Sequence, residues 1–344
     1  MTAVSSRSLW FVLAWVLIAL TSIVFSVAFG AANITMADVF QSLKSWALGD
    51  GVLGVQDRII WELRAPRAVL AFLAGAGLSL AGAVLQTVTR NPLSDPYLFG
   101  ISSGASFGAV LVIAALSGTS LSSIAILSEY TIAVGAFAGS LLSVLIVIAL
   151  AGRSGQVERM LLAGVATSFM FSAATSLVLY LSDPLAAASL IFWTLGSFAR
   201  ADWASLGLVS FVIVTSLLCF FAFSRSLRTM LAGDENAQAL GVNVIKMRLG
   251  MLVVSSLMTA VLVANCGGIG FVGLMIPHIV RRFTLGLHVN LFLAVTLIGG
   301  SFMVWVDVLA RTVYQSSELP VGVITAALGS MFFLLVLFRR EPNT

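Results

Sequence analysis

Charge is what this sequence has least of. Asp, Glu, Lys and Arg make up 9% of its 344 residues, against about 25% in a soluble domain. Hydrophobic residues make up 60%, and the mean hydropathy is +1.08. No soluble fold could hide that much apolar surface, so the chain reads as an integral membrane protein. Cysteine is scarce. Cys219 and Cys266 lie within or at the end of apolar segments and read as small buried hydrophobes, with no disulfide or metal pattern. His278 and His288 are too few for a metal site by themselves. The only lysines are Lys44, after Leu43, and Lys246, after Ile245. A phosphate loop needs a lysine after a glycine, so any ATP-driven work must come from another polypeptide. Ionisable residues are nearly missing from the apolar interiors, Asp307 being the closest. An intramembrane hydrolase would need a nucleophile with its base, or clustered carboxylates and histidines, and neither is present. A proton-coupled transporter is weakened for the same reason. A sodium-coupled one, using backbone carbonyls at broken helices, stays open. The net charge of +4 is spread along loops and does not suggest nucleic acid.

What is there is a series of long apolar segments. Ten spans are expected: 9–29, 65–88, a third ending near 117, 130–151, 159–181, 204–223, 246–265, an eighth within 267–282, 290–310 and 320–338. For the first, a signal peptide is the alternative, but its apolar core would run only about 7–15 residues; an uncleaved helix is expected. Residues 30–61 form an external loop with a short amphipathic helix at 35–48. Residues 182–203 form a mixed loop with a short helix at 187–197. Residues 224–247 form a cytoplasmic stretch that suits two short helices joined at Gly241. The expected fold is all-α: a single transmembrane domain over 1–344. Ten spans put both termini on one side. That side holds twelve of the 18 basic residues, so the termini are expected in the cytoplasm.

The most distinctive stretch runs from Arg90 to Gly108. Pro92 and Pro96 each remove a backbone donor and forbid a continuous helix. Asn91 and Asp95, each before a proline, are biased to extended or turn conformations. Gly100, Gly104 and Gly108 follow at four-residue spacing, with small residues between. They make a stripe that another helix can approach closely. A second interrupted segment, with Gly267, Gly268, Gly270, Gly273 and Pro277, falls in the other half of the chain, as in transporters built from inverted repeats. A cytoplasmic turn followed by an ordinary packed helix is the alternative reading of the first break.

These residues carry a family resemblance. Asn91-Pro-Leu-Ser-Asp-Pro-Tyr-Leu-Phe-Gly-Ile-Ser-Ser-Gly-Ala105 resembles the signature of the FecCD-type permeases, the membrane subunits of ABC importers for ferric siderophores, haem and cobalamin. Leu63-Arg-Ala-Pro-Arg67, Gly268-Ile-Gly-Phe-Val-Gly-Leu-Met-Ile-Pro-His-Ile-Val-Arg281 and Glu318-Leu-Pro-Val-Gly322 match further motifs, in order. The resemblance implies a non-catalytic subunit of the bacterial inner membrane. It would work as a homodimer, with two cytoplasmic ATP-binding subunits below and a periplasmic substrate-binding protein above. It would carry no cofactor or metal of its own. It implies docking of binding-protein glutamates on Arg64, Arg67 and Arg311. The alternatives are that Arg64 and Arg67 anchor a helix end, or that Arg311 pairs with Asp307. It implies an ATPase-coupling region at Asp234, Glu235, Ala237, Leu240, Gly241 and Val242, with Ala239 also available for contact. Asn91, Pro92, Asp95, Pro96, Gly100, Gly104, Gly273 and Pro277 are expected to serve packing. Thr167, Ser168 and Ser172 are candidates to line the pathway. Arg281 and Arg282 read as positive-inside anchors, and His278 as a packing residue. Iron chelates or haem are the expected cargo, because they are the family's commonest; cobalamin is the alternative.

Overall fold

Helix α4 (Ala65–Thr89) is apolar or small on every face, a pattern that belongs at the centre of a bundle. A computed structural model puts it there. The structure describes residues 6–49, 54–116, 125–152, 156–182, 187, 191–284, 291–314 and 317–338. Among these, regular structure is entirely helical. Before α4 come α1 (Ser6–Ser26), α2 (Met36–Leu48) and α3 (Val55–Arg58). After it come α5 (Ile101–Leu116), α6 (Ala125–Ala151), α7 (Val157–Leu181) and α8 (Trp203–Ala222). Two short helices, α9 (Ser224–Leu231) and α10 (Asp234–Ala239), precede α11 (Val244–Cys266), α12 (Val272–Phe283), α13 (Leu291–Thr312) and α14 (Val321–Phe338).

A helix stands at each of the ten expected segments. Among the described residues, seven apolar stretches, in α1, α4, α6, α7, α8, α11 and α13, are long enough to cross a bilayer. α5 and α14 are shorter apolar helices, and α12 has 12 residues with Pro277 inside. Of the expected helix at 187–197, residues 187 and 191–194 are helical; Asp183, Pro184 and residues 188–190 lie outside the described residues, as do Arg153, His288, Arg339 and Arg340.

The loop expected over 30–61 is shorter in the structure. Residues 55–64 are helical and run into α4 through a π-wound turn, Ile59–Arg64. Pro66 explains that winding. It has no N–H, and its ring would crowd a regular α-helical turn before it. The wider turn lets the Ala65 N–H reach back to the Ile60 carbonyl. α2 starts where the sequence indicated. The Thr35 hydroxyl accepts from the Asp38 N–H, and the Asp38 carboxylate accepts from the Thr35 N–H. Those bonds hold the Asp38 carboxyl below the usual carboxylate range.

Glycine sets how closely the helices pack. A Cβ on Gly75 would run into the Gly299 carbonyl where α4 crosses α13, and one on Gly82 into Gly273 of α12. On α5, Gly104 and Gly108 lie against Gly139 and Gly135 of α6, backbone to backbone. α1 is mostly exposed, whereas the α4 stretch is 83% buried. α4 is therefore the axis around which the other helices are arranged.

Candidate functional site

The two interrupted segments meet. Asp95 caps a 3-10 turn, Pro96–Phe99, by accepting from the Tyr97 N–H (2.8 Å), and Gly100 closes that turn at φ 73°. The Thr89 and Ser94 hydroxyls bond across the break (2.7 Å). The Tyr97 hydroxyl then accepts from the Ile269 N–H (2.9 Å), joining the first break to the second. Gln86 of α4 donates to the Gly273 carbonyl (3.0 Å) and accepts from Arg281 (2.6 Å). Gly273 cannot carry a side chain there, because a Cβ would lie 2.9 Å from Asp95 Oδ2. Nearby, the Gly196 and Leu195 carbonyls accept from the Val321 and Gly322 N–H groups, and the Ser197 N–H donates to Cys266. Three chain segments are thus woven by backbone bonds at the start of α14. Pro277 is buried within α12, and His278 lies edge-on to the Phe332 ring at 5.7 Å.

The structure brings the three predicted docking arginines together at the start of α4 and the end of α13. None of them is free. Arg64 donates to the Val27 (2.9 Å), Ala28 (3.1 Å) and Ala32 (2.7 Å) carbonyls, fastening the chain after α1. Arg67 is clamped on both edges: Asp307 takes Nε and one terminal nitrogen (2.9 and 2.8 Å), and Glu318 takes both terminal nitrogens (2.9 and 2.8 Å). Arg311 pairs with Asp307 (3.0 Å) and donates to Phe29 (3.0 Å). Two of the three arginines therefore share two carboxylates, and Arg64 is held by backbone carbonyls. Asp307 is fully buried, while the Glu318 side chain is 48% exposed. The sequence reading singled out Asp307 but gave Glu318 no partner. Its only signal was a lone acid ahead of Pro320.

On the opposite end, the predicted coupling region folds as two short helices, α9 and α10, but they join at Gly233 (φ 113°) and not at Gly241 as expected; Gly241 (φ 83°) instead turns the chain from α10 towards α11. Asp234 is tied inward. It pairs with Arg90 (3.2 Å) at the end of α4, and with Arg248 (3.0 Å) in α11. Arg248 also donates to the Val88 carbonyl (3.0 Å). Ala237 is fully buried and packs α10 onto the bundle, so it offers no contact face. Val242 is half-buried, its N–H donating to Ala237. Glu235, Ala239, Leu240 and Gly241 are exposed, Leu240 by 69%. Arg90 and Arg248 were not expected here. An arginine inside an apolar helix is the signal that marks Arg248.

The three pathway candidates separate. Thr167 is buried and donates to Ala163 of its own helix. Ser168 is half-buried, close to Gly100, and Ser172 is exposed on α7. Among the described residues no group of three His, Cys, Asp or Glu side chains could hold a metal ion.

A sequence profile of the FecCD transport family matches residues 17–339. The hemin transport system permease protein HmuU of Yersinia pestis is 35% identical over 92% of this chain and 93% of its own. The vitamin B12 import system permease protein BtuC of Klebsiella pneumoniae is 36% identical over 82% and 83%. A solved structure described as an inward-facing conformation of a metal-chelate type ABC transporter superposes with a TM-score of 0.81. It is 28% identical, over 96% of this chain and 99% of its own. With its profile spanning nearly the whole sequence and its motifs meeting at one junction, the chain belongs to the FecCD transport family.

Proposed function

We propose that this chain is the membrane subunit of a binding-protein-dependent ABC importer, carrying an iron chelate, either a ferric siderophore or haem, into the cytoplasm by alternating access. It pairs with a second copy of itself in the bacterial inner membrane, with ten crossings and both termini cytoplasmic. Two separate ATP-binding subunits seat on α9 and α10 and supply the fuel. A periplasmic binding protein delivers cargo to the end that carries Arg64, Arg67 and Arg311.

The observation that carries this reading is the double attachment of Asp234. An ATPase that moves α10 pulls, through Arg90 and Arg248, on the C-terminal end of α4 and the start of α11. The first of these is also the edge of the break that meets the second interrupted segment. The exposed Glu235, Leu240 and Gly241 supply the contact surface. At the other end, a binding-protein carboxylate reaches Arg67 by displacing the half-exposed Glu318, since Asp307 is enclosed.

The test is uptake with ATPase co-purification. Asp234→Ala retains the ATPase but loses most uptake, whereas Leu240→Asp loses the ATPase itself. If both variants transport normally, α10 is an ordinary loop helix. Cobalamin is the second reading, favoured by the vitamin B12 relative, whose identity equals that of the hemin relative within a percentage point.

A further inference from the structure

A groove of about 630 Å³ runs between α6, α8 and α11, walled by Phe137, Leu208, Val212, Val254, Leu257 and Val261. One end opens into a half-polar cavity of about 280 Å³, and Ala133, Ser205, Ala264 and Asn265 line both. Arg200, Asp202 and Ser197 line the cavity. Along α8 the groove runs from Ala204 to Ser216, and along α11 from Asn265 back to Val254. At about 1.5 Å per residue that is about 17 Å, roughly one leaflet of a hydrocarbon core about 30 Å thick. The polar end lies where Arg200 and Asp202 lead into the first turn of α8, at one end of that apolar helix. Trp203 beside it is half-exposed, and its indole N–H donates to the Trp61 carbonyl (2.7 Å). Tryptophan favours the level of a membrane interface.

Among the described residues, neither charged group at the polar end takes part in an ion pair. Among the described residues Arg200 has no ion-pair or hydrogen-bond partner, and it is exposed. Asp202 uses Oδ1 to cap α8, accepting from the Ser205 N–H (2.9 Å). Arg200 and Asp202 do not pair with each other. A cation and an anion thus flank the mouth of an apolar slot one leaflet deep.

We infer that this is a site for one zwitterionic aminophospholipid. Its phosphate sits on Arg200, whose planar fork suits phosphate oxygens. Its ammonium group sits on Asp202, and one acyl chain lies between α8 and α11. A phosphatidylglycerol would leave Asp202 facing a headgroup without a cation. A phosphatidylcholine has a cation with no N–H to donate. The inference requires only that the chain spans a membrane and is independent of its cargo.

Native mass spectrometry of the full chain in mild detergent tests it, with phosphatidylethanolamine, phosphatidylglycerol or phosphatidylcholine added in turn. One phosphatidylethanolamine per chain is expected to survive, at least fivefold above the other two. Asp202→Asn keeps the cap, because Asn caps as well as Asp, and removes the charge. It is expected to erase that preference without changing thermal unfolding. Arg200→Ala should lower retention of phosphatidylethanolamine about fivefold, and Leu208→Trp should block the acyl-chain seat. Equal retention of all three lipids, or an unchanged preference in Asp202→Asn, overturns the inference. So does efficient disulfide cross-linking of two chains through Leu208→Cys, which would make the groove an interface between copies.

Discussion

At the scale of single residues, Asp307 has the most to answer for. It is fully buried, and two arginines converge on its carboxylate. Removing one partner of a buried ion pair strands the other in low dielectric, at about 3–5 kcal/mol. Asp307→Asn should therefore lower the thermal unfolding midpoint in detergent sharply. Glu318→Gln should barely move it, because its side chain is half in solvent and such pairs contribute about 0–1 kcal/mol. If binding-protein carboxylates compete with Glu318 for Arg67, Glu318→Gln should also tighten binding-protein association several-fold in surface plasmon resonance. Unchanged or weakened association would remove Arg67 from the docking role. Changing Arg64 and Arg67 together to Glu should abolish uptake. Because both arginines also fasten the fold, the amount of protein in the membrane must be measured alongside.

At the scale of elements, glycine sets the helix pairs, and the short helix α10 divides its residues between the bundle and solvent. α5 and α6 touch backbone to backbone at Gly104–Gly139 and Gly108–Gly135. Gly104→Leu inserts four carbons where none fits. Overpacking of this kind costs about 1–3 kcal/mol or more, so a large loss of folded protein by size-exclusion chromatography is expected. Gly250, with open space around its Cβ position, is the internal control, and Gly250→Ala should be tolerated. α10 shows a division of labour that spacing alone did not reveal. Its Ala237 and Asp234 face the bundle, and its Leu240 end faces solvent. The proposed coupling role predicts that Asp234→Ala impairs uptake with the ATPase still bound, and that Leu240→Asp releases the ATPase in co-purification.

At the scale of the whole molecule, the bundle has a buried axis and exposed flanks. α7 and α8 present most of their apolar residues outward, to lipid or to another chain. Proteoliposomes containing this chain alone, with an imposed sodium or proton gradient, should take up no ferric siderophore, haem or cobalamin. Adding the ATPase subunits, the binding protein and ATP should restore uptake of one of them. Uptake by the chain alone would point to the ion-coupled reading instead. Growth of a deletion strain on each iron source and on cobalamin would then identify the cargo.

Much was legible in the sequence. Apolar length marked the helices, because a bilayer demands about 20 such residues whatever their neighbours. Pro92 and Pro96 marked the break, because proline forbids a regular helix through local chemistry alone. Only the tertiary structure decided how the rare charges are spent. Arg67 lies 240 residues from Asp307, and Asp234 bonds an arginine at each of two distant helix ends. A pairing across that separation depends on which helices become neighbours, and small residues scattered over α4, α12 and α13 decide that only when all of them pack at once. The same holds for Ala237 and Thr167, whose facing follows from a helix's rotation in the bundle and leaves no trace in a uniformly apolar sequence.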